Sequence, residues 1–405
     1  KFGHQAELRS LHWHAGRRAL VRSDGPARAA RSAILDKMKD IWAAASWEIP
    51  SDFMQKEHYV RVLRKIDWTS SPGYPYMRRA PTNGDLFRVR EGIPDPAKVD
   101  EVWAMVQSQI RDRTSDPIRL FVKAEPHKLK KLEEGRYRLI SSVSVVDQII
   151  DHMLFDDMND IMTNNWMELP SKVGWSPVWG GWRAIPREIW RASDKSSWDW
   201  TVHLWLVEMI LELRSSLCET IGPVKDQWLE LALWRYIQLF REPLFVTSGG
   251  LVLRQINPGI MKSGCVNTIS DNSIAQSLLH VRVCLERNKP TKAQYSMGDD
   301  TLEEETDNPR EYLELLGQYA ILKDSQLVNE FAGFRFMGRR IEPLYKGKHA
   351  FTLLHVDPVV LPQLTSSYLL LYHRSAYRDL IEDLFCKMGQ KLVSRETRDL
   401  IYDGY

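Results

Sequence analysis

The sequence predicts an α+β enzyme built of interrupted subdomains. Three observations carry this. Short β-type runs and long helical stripes interleave without a regular βαβ period. Two tight-hairpin signatures, Gly249-Gly250 and Gly298-Asp299, each lie between β-type runs. Neither GxGxxG nor GxxxxGK[ST] occurs, so the dinucleotide-binding and P-loop readings of an α/β chain have no support.

The elements follow in order. Residues 1–50 alternate basic loops with a helical run near Ser32–Ala45. Trp68–Pro81 is rich in Pro and Gly and reads as an ordered loop or set of turns. Asp95–Arg113 reads as a helix, with Val99, Val102, Val106 and Ile110 on one stripe. Strands are expected at Leu120–Lys123 and near Tyr137–Ser142, joined by a basic loop, and then a helix over Val145–Thr163. An aromatic, turn-rich stretch, Trp166–Arg187, leads to a short strand at Ile189–Ala192 that runs into Asp194. A helix over Val202–Leu217 comes before the first hairpin. A helix from about Asn267 to Arg287, with Ile274, Leu278, Val281 and Leu285 as its stripe, comes before the second. Tyr312–Tyr319 is helical, and from about Pro358 the chain is mostly helical (Ser366–Tyr372, Ala376–Met388, Ser394–Tyr402).

With 405 residues, 43% of them hydrophobic, the chain can bury a large core. No stretch of about 18 uncharged apolar residues occurs, so no spanning helix is expected. The N-terminus shows no signal-peptide pattern, and a chain opening on Lys1 is expected to be a processed or trimmed product. Four scattered cysteines without a CxxC pair suit a reducing compartment. The net charge of +2 says little, but its distribution says more. Residues 1–39 carry nine Lys/Arg against three acids, and residues 119–138 carry seven against three. Asp299–Glu305 carries five acids and no base. Basic surfaces around one acidic knot suit a polyanion handled near cations, although charge runs alone are most often solvated faces.

Three local patterns carry chemistry. In Tyr295-Ser-Met-Gly-Asp-Asp300 the glycine permits a tight turn that thrusts Asp299 and Asp300 out at a hairpin tip, where adjacent carboxylates repel unless a cation sits there. Taken alone this is ordinary turn chemistry. In Asp194-Lys-Ser-Ser-Trp-Asp199 one Asp closes a strand and a second lies where a helix begins, so Asp199 has a second reading as a helix cap. Two-metal nucleotidyl transfer needs carboxylates from two such elements. In Gly259-Ile-Met-Lys-Ser263-Gly264-Cys-Val-Asn-Thr268-Ile-Ser-Asp-Asn272 a Gly/Ser loop opens a helix and places Thr268 and Asn272 one turn apart. The 15 tryptophans are expected to be mostly core, Trp198 and Trp200 included.

Asp-x4-Asp, then Ser-Gly-x3-Thr-x3-Asn, then Gly-Asp-Asp, in that order, resembles the palm signature of RNA-dependent RNA polymerases of positive-strand RNA viruses. The resemblance runs from about Trp68 to Phe336. Phe121-Val-Lys123-Ala-Glu125 through Gly135-Arg-Tyr-Arg138-Leu-Ile140 resembles the basic fingers motif, and Thr69-Ser-Ser-Pro-Gly73-Tyr-Pro75 the template-guiding loop. Tyr319-Ala-Ile-Leu-Lys323 resembles the motif with a proton-donating lysine, and Phe331-Ala-Gly-Phe-Arg335-Phe336 the primer-grip turn. The block Pro258–Ser273 and the short C-terminal part look most like the sobemovirus, polerovirus and barnavirus group, plant or fungal in character. The primer-grip turn departs from the sobemovirus pattern in lacking a Cys-Ser pair.

That resemblance implies a right-hand polymerase: fingers, palm and thumb, with a palm of antiparallel sheet backed by helices. The implied division is fingers 1–187 with a fingertips-like N-terminal extension, palm 188–217, a fingers insertion 218–255, palm 256–340 and thumb 341–405. It implies Asp194 and Asp299 as ligands of two Mg2+ ions (Mn2+ able to substitute), with Asp300 touching the second ion or holding the turn. Lys195 is expected at the surface. Asp199 is expected to read the ribose 2′-hydroxyl, with Ser263, Thr268 and Asn272 in its hydrogen-bond network. Lys123, Lys131, Arg136 and Arg138 would line the nucleotide channel, Arg138 gripping the triphosphate. Lys323 would protonate pyrophosphate. Thr69, Ser70, Gly73, Pro75, Gly264 and Arg335 would contact RNA. The implied partners are template and nascent RNA, ribonucleoside triphosphates and a genome-linked protein primer. Membrane recruitment would run through other proteins, in cytoplasmic replication complexes of the host cell. A reverse transcriptase and a catalytically silent RNA-binding scaffold are the competing readings. A reverse transcriptase usually carries a bulky residue where Asp199 stands.

Overall fold

A computed structural model describes residues 3–404; Lys1 of the basic N-terminal stretch lies outside them. Its strands are β1 (Ile118–Val122), β2 (Leu139–Ser142), β3 (Arg191–Lys195), β4 (Leu244–Val246), β5 (Val252–Arg254), β6 (Gln294–Met297), β7 (Asp300–Glu303), β8 (Leu322–Leu327), β9 (Glu330–Phe331), β10 (Phe334–Met337) and β11 (Arg340–Pro343). They form three sheets of order β2-β1-β4-β5, β6-β7-β3-β8 and β11-β10-β9. The first hairpin, β4–β5, joins β1 in parallel, so residues far along the chain return to the sheet begun at Ile118. In the second sheet β3 is the centre, antiparallel to both β7 and β8.

The helix Thr268–Glu286 is the axis of the core. Every residue from Ser270 to Cys284 is buried, polar and apolar alike. It packs against the helices Arg28–Ile41, Leu204–Ser216 and Pro309–Tyr319 and against β6. A single apolar stripe therefore understates it, and Leu285, predicted on that stripe, is exposed. Polar residues on a helix buried all round need partners. Asp271 finds them in Arg214 and Tyr236, and Asn267 in Asn159 and Tyr236.

Several elements depart from the sequence reading. The predicted helix over Val202–Leu217 is observed at Leu204–Ser216, and a further short helix, Trp198–Thr201, precedes it. The first strand after the aromatic stretch is Arg191–Lys195, so Asp194 lies within it. Helices at His4–Arg17, Lys56–Val62, Pro223–Tyr236 and Lys346–Leu354, and the strand β8, were not foreseen.

The helix His4–Arg17 ties the sheet of β1 to that of β3. Ser10 Oγ donates to Gly135 O and accepts from Tyr137 N–H, at 2.9 and 3.0 Å. Glu7 accepts from Ser248 in the β4–β5 turn. On the other side the His14 ring stacks on Trp200 at 5.0 Å, and Arg18 donates to the carbonyls of Val202 and Pro258. Among the described residues no helix is long and apolar enough to cross a membrane, and the cysteines are free thiols.

Candidate active site

The site lies at one end of the sheet β6-β7-β3-β8. Gly298 adopts φ +62°, the left-handed conformation a glycine takes without strain, and closes the β6–β7 turn. Met297 pairs with Asp300 across it, leaving Asp299 at the tip. Asp194 stands near the end of β3, where the register with β8 shifts between Asp194 and Lys195. Its carboxylate is exposed, and Lys323 Nζ on β8 donates to Oδ2 at 2.8 Å. That bond raises the Lys323 pKa.

Like charges gather here at a partly covered surface. Burial pushes the Asp299 carboxyl up, Asp194 adds to the rise, and Lys195 opposes it. Asp300 is pushed up to about 7 by burial, opposed by the N–H of Ala332 and reinforced by Asp299. Asp300 Oδ2 accepts that N–H at 2.7 Å. Ala332 belongs to the β9–β10 turn, so Asp300 ties the hairpin tip to the neighbouring sheet.

Lys195 is not at the surface. It is 6% exposed, on the face of β3 opposite Asp194, and its Nζ donates to Thr301 Oγ1 at 3.2 Å. Burial lowers its pKa, and the charges of Glu303, Asp299, Asp300 and Asp194 oppose that fall. The strand alternation that exposes Asp194 places its neighbour on the buried face of the sheet.

Asp199 does not cap a helix. It sits inside the turn Trp198–Thr201, and neither that helix nor Leu204–Ser216 has a side-chain cap. Its Oδ1 accepts from Asn272 Nδ2 at 3.1 Å, while Asn272 Oδ1 accepts from Trp198 Nε1 at 2.8 Å. The indole thus fixes the amide so that its NH2 faces the carboxylate. Burial lifts Asp199 to about 6 against that hydrogen bond. Ser263 and Thr268 are not on Asp199. The Ser263 hydroxyl accepts from Ser141 N–H at 3.1 Å, and Thr268 Oγ1 donates to the carbonyls of Lys262 and Cys265. Both fix the loop itself. Gly264 lies flush on β2, where a Cβ would stand 2.3 Å from Ser141 O.

Of the basic set, Arg138 acts on the acidic residues: its charge lowers the pKa of both Asp199 and Asp299. Glu125 gathers Lys123 at 3.2 Å, Arg138 at 3.5 Å and Lys348 of the C-terminal part at 3.9 Å. Burial pushes Glu125 up, but these cations outweigh it and hold the carboxyl below its usual range. Lys131 is half-buried, its pKa lowered by burial and by Arg136 and Lys323. Arg136 turns to Glu134 and to the Trp13 ring on the N-terminal helix, away from the carboxylates. Thr69 and Ser70 direct their hydroxyls to Asp67, at 2.7 and 2.6 Å. Gly73, φ +71°, backs onto Ser144, and Pro75 follows a cis peptide bond. Arg335 is held by Glu330 across β9–β10.

A family model described as viral RNA-dependent RNA polymerase matches residues 49–345, well over half of the chain. The chain belongs to the viral RNA-dependent RNA polymerase family. Among the relatives of this polymerase are replicase polyprotein P2AB of Southern cowpea mosaic virus, 34% identical over 62% of the chain and 27% of the relative, and protein P1-P2 of potato leafroll virus (Wageningen strain), 29% identical over 77% of the chain and 32% of the relative. The chain therefore spans about a third or less of the curated relatives it matches. A sicinivirus 3Dpol RNA-dependent RNA polymerase superposes with a TM-score of 0.72 at 16% identity, over 96% of this chain and 90% of that one. The fold is that of a right-hand polymerase.

The carboxylates suit a hard divalent cation such as Mg2+, which takes oxygen donors. Among the described residues no group of three or more His, Cys, Asp or Glu forms a ready-made metal cage. Mg2+ in phosphoryl-transfer sites is held by one or two carboxylates plus substrate phosphates, so an incomplete protein set fits that ion. Sequence reasoning missed Lys195, Trp198 as the residue that orients Asn272, and the helix His4–Arg17 that braces Trp200 beside Asp199.

Proposed function

We propose that this chain is the catalytic core that copies a viral RNA genome, extending RNA from ribonucleoside triphosphates by two-metal nucleotidyl transfer. One observation carries the reading. Asp194 and Asp299, remote in sequence, come together at adjoining ends of β3 and the β6–β7 turn, because Ser193 pairs with Thr301 and Met297 with Asp300, and Lys323 is bonded to the first. Asp194 and Asp299 hold the two Mg2+ ions, and Asp300 supports the turn and the second ion. Bound there, Mg2+ would lower the pKa of the attacking 3′-hydroxyl and neutralise charge on the leaving pyrophosphate. Mn2+ substitutes.

Asp199 and Asn272 meet the ribose 2′-hydroxyl, a donor and acceptor that a fixed carboxylate–amide pair matches. This opposes the reverse-transcriptase reading, as the retained carboxylates oppose a silent scaffold. Ser263, Thr268 and Gly264 shape the loop that presents Asn272 and the backbone to the nucleotide and template. Arg138 receives the triphosphate, with Lys123 and Lys131 along the same channel and Arg136 bracing it from the Trp13 side. Lys323 exchanges Asp194 for pyrophosphate and donates its proton. Thr69, Ser70, Gly73 and Pro75 guide template, and Arg335 borders the nascent strand.

The subdomains follow: fingers 1–187 with the N-terminal helix as brace, palm 188–217, a fingers insertion 218–255 whose β4 rejoins β1, palm from 256, then thumb. The proposed palm ends at 340 and the thumb begins at 341, within the β10–β11 pairing. The working context is the cytoplasmic replication complex of an infected cell, with membrane recruitment through other proteins and a genome-linked protein as primer.

The test is extension of a primed RNA template by the purified chain with Mg2+. Ribonucleotide incorporation is expected. No incorporation with Mg2+ or Mn2+ despite RNA binding would leave the silent scaffold, and equal use of deoxynucleotides would revive the reverse transcriptase.

A further inference from the structure

We infer that Lys195 is a built-in counter-cation of the catalytic carboxylates, a positioning residue that steadies the Asp299 turn before metal binds and moderates the metal affinity of the site. The inference rests on the reading of Asp194 and Asp299 as metal ligands.

The arrangement is unlike an ordinary buried ion pair. The Lys195 ammonium is beneath the sheet, and its hydrogen bond goes to a neutral hydroxyl, Thr301 Oγ1 at 3.2 Å. Ser193 pairs with Thr301, so the ammonium bonded to Thr301 lies between the strand ends that carry Asp194 and Asp300, where Glu303, Asp299, Asp300 and Asp194 all act on it. A lysine placed for stability alone would sit on one carboxylate with its donors filled. Here a single fixed charge lies behind a group of like charges that must stay close together while no metal is bound. Coulomb repulsion among them is relieved from behind, where the ammonium does not block the face that takes metal and phosphates. Thr301 lies directly after Asp300 in β7, and Lys195 directly after Asp194 in β3. The Lys195–Thr301 bond therefore clamps the two strands that carry the carboxylates. The same charge also repels an incoming dication, so the clamp weakens metal binding as it stabilises the metal-free site.

The test uses the full chain with Lys195→Met, Lys195→Gln and Lys195→Arg. Melting is followed with and without Mn2+, and Mn2+ binding is measured directly by calorimetry or by the free-Mn2+ resonance signal. With either uncharged variant, the melting temperature should fall further in metal-free buffer than with saturating Mn2+, and the Mn2+ Kd should tighten by about tenfold. Lys195→Arg should stay near wild type in both. Equal destabilisation with and without Mn2+ and an unchanged Kd would overturn the inference, as would uncharged variants that fail to fold even with Mn2+. Asp299→Asn separates the two levels of the argument. If it leaves Mn2+ binding intact, the metal-site reading fails and this inference with it. If it abolishes binding while the Lys195 variants leave Kd unchanged, only the role of Lys195 fails.

Discussion

Two groups of charge flank the long central helix, and they are compensated differently. On one side Arg214 and Asp271 are fully buried and matched one to one. Asp271 Oδ1 accepts from Arg214 Nε and Nη2, at 3.1 and 2.7 Å, and its Oδ2 accepts from Tyr236 at 2.7 Å. Arg214 Nη2 reaches Asn159 and Ser270 as well. At the end of the sheet, Asp194, Asp299, Asp300 and Asp199 are acids in a group, with Lys195, Lys323 and Arg138 spread around them. The first group is matched in charge within the chain and serves the fold. The second gathers more acids than cations on its open side, which is where the proposed metal would sit. Unmatched buried charge marks a working site because a fold gains nothing from leaving it so.

Exchanging one member of each group should give opposite outcomes. Asp299→Asn keeps shape and removes charge. Incorporation should fall by about a thousandfold or more, since several kcal/mol of metal stabilisation is lost, while the melting temperature in metal-free buffer holds or rises. Arg214→Met strands Asp271 without its charge partner. Denaturant melts should show a loss of about 3–5 kcal/mol, with activity per folded molecule retained. Adding Asp271→Leu should restore much of that stability. Were Asp299→Asn the one to unfold, the contrast would be wrong.

Within the site, Asp199→Ala and Asn272→Ala should lower the kcat/KM ratio of GTP over dGTP. A buried polar pair left unmatched by a deoxyribose costs about 1–3 kcal/mol, a factor of about 5 to 150 in that ratio. A ratio unchanged in both variants would remove the sugar-reading role.

A further effect is in pH. Asp300 has its pKa raised to about 7 in the fold, from an ordinary value of 3.8. A carboxyl raised in the folded state favours folding least when ionised. Its penalty is absent below about pH 4, grows as pH rises, and levels off above about 7. In metal-free buffer, Asp300→Asn should therefore gain stability relative to wild type across that interval and then plateau. A difference independent of pH would mean that Asp300 is no strained carboxylate.

Much of this was readable in the sequence, where the signals are local. Gly298 and the runs around it specify a hairpin tip, and that tip carries Asp299. The helix read over Val145–Thr163 is observed at Val145–Asn164. What escaped depends on which face of an element is covered. The helix His4–Arg17 buries Glu7 and Ser10, polar residues that leave no apolar stripe. β8 (Leu-Lys-Asp-Ser-Gln-Leu) is largely exposed and polar, so nothing marks it as a strand until β3 pairs with it. Lys195 looks like any surface lysine until β3 is placed inside its sheet between β7 and β8. Thr268 and Ser263 carry side chains that suit a sugar contact, yet the Thr268 hydroxyl at the helix start bonds nearby carbonyls and the Ser263 hydroxyl takes the N–H of Ser141 on β2.

The most direct measurement is a crystal structure with primed RNA, a non-hydrolysable ribonucleoside triphosphate and Mn2+. Anomalous peaks are predicted between the carboxylates of Asp194 and Asp299 and the triphosphate, with the ribose 2′-hydroxyl against Asp199 and Asn272. Mn2+ found elsewhere, with Asp194 and Asp299 contacting neither metal nor nucleotide, would contradict the account.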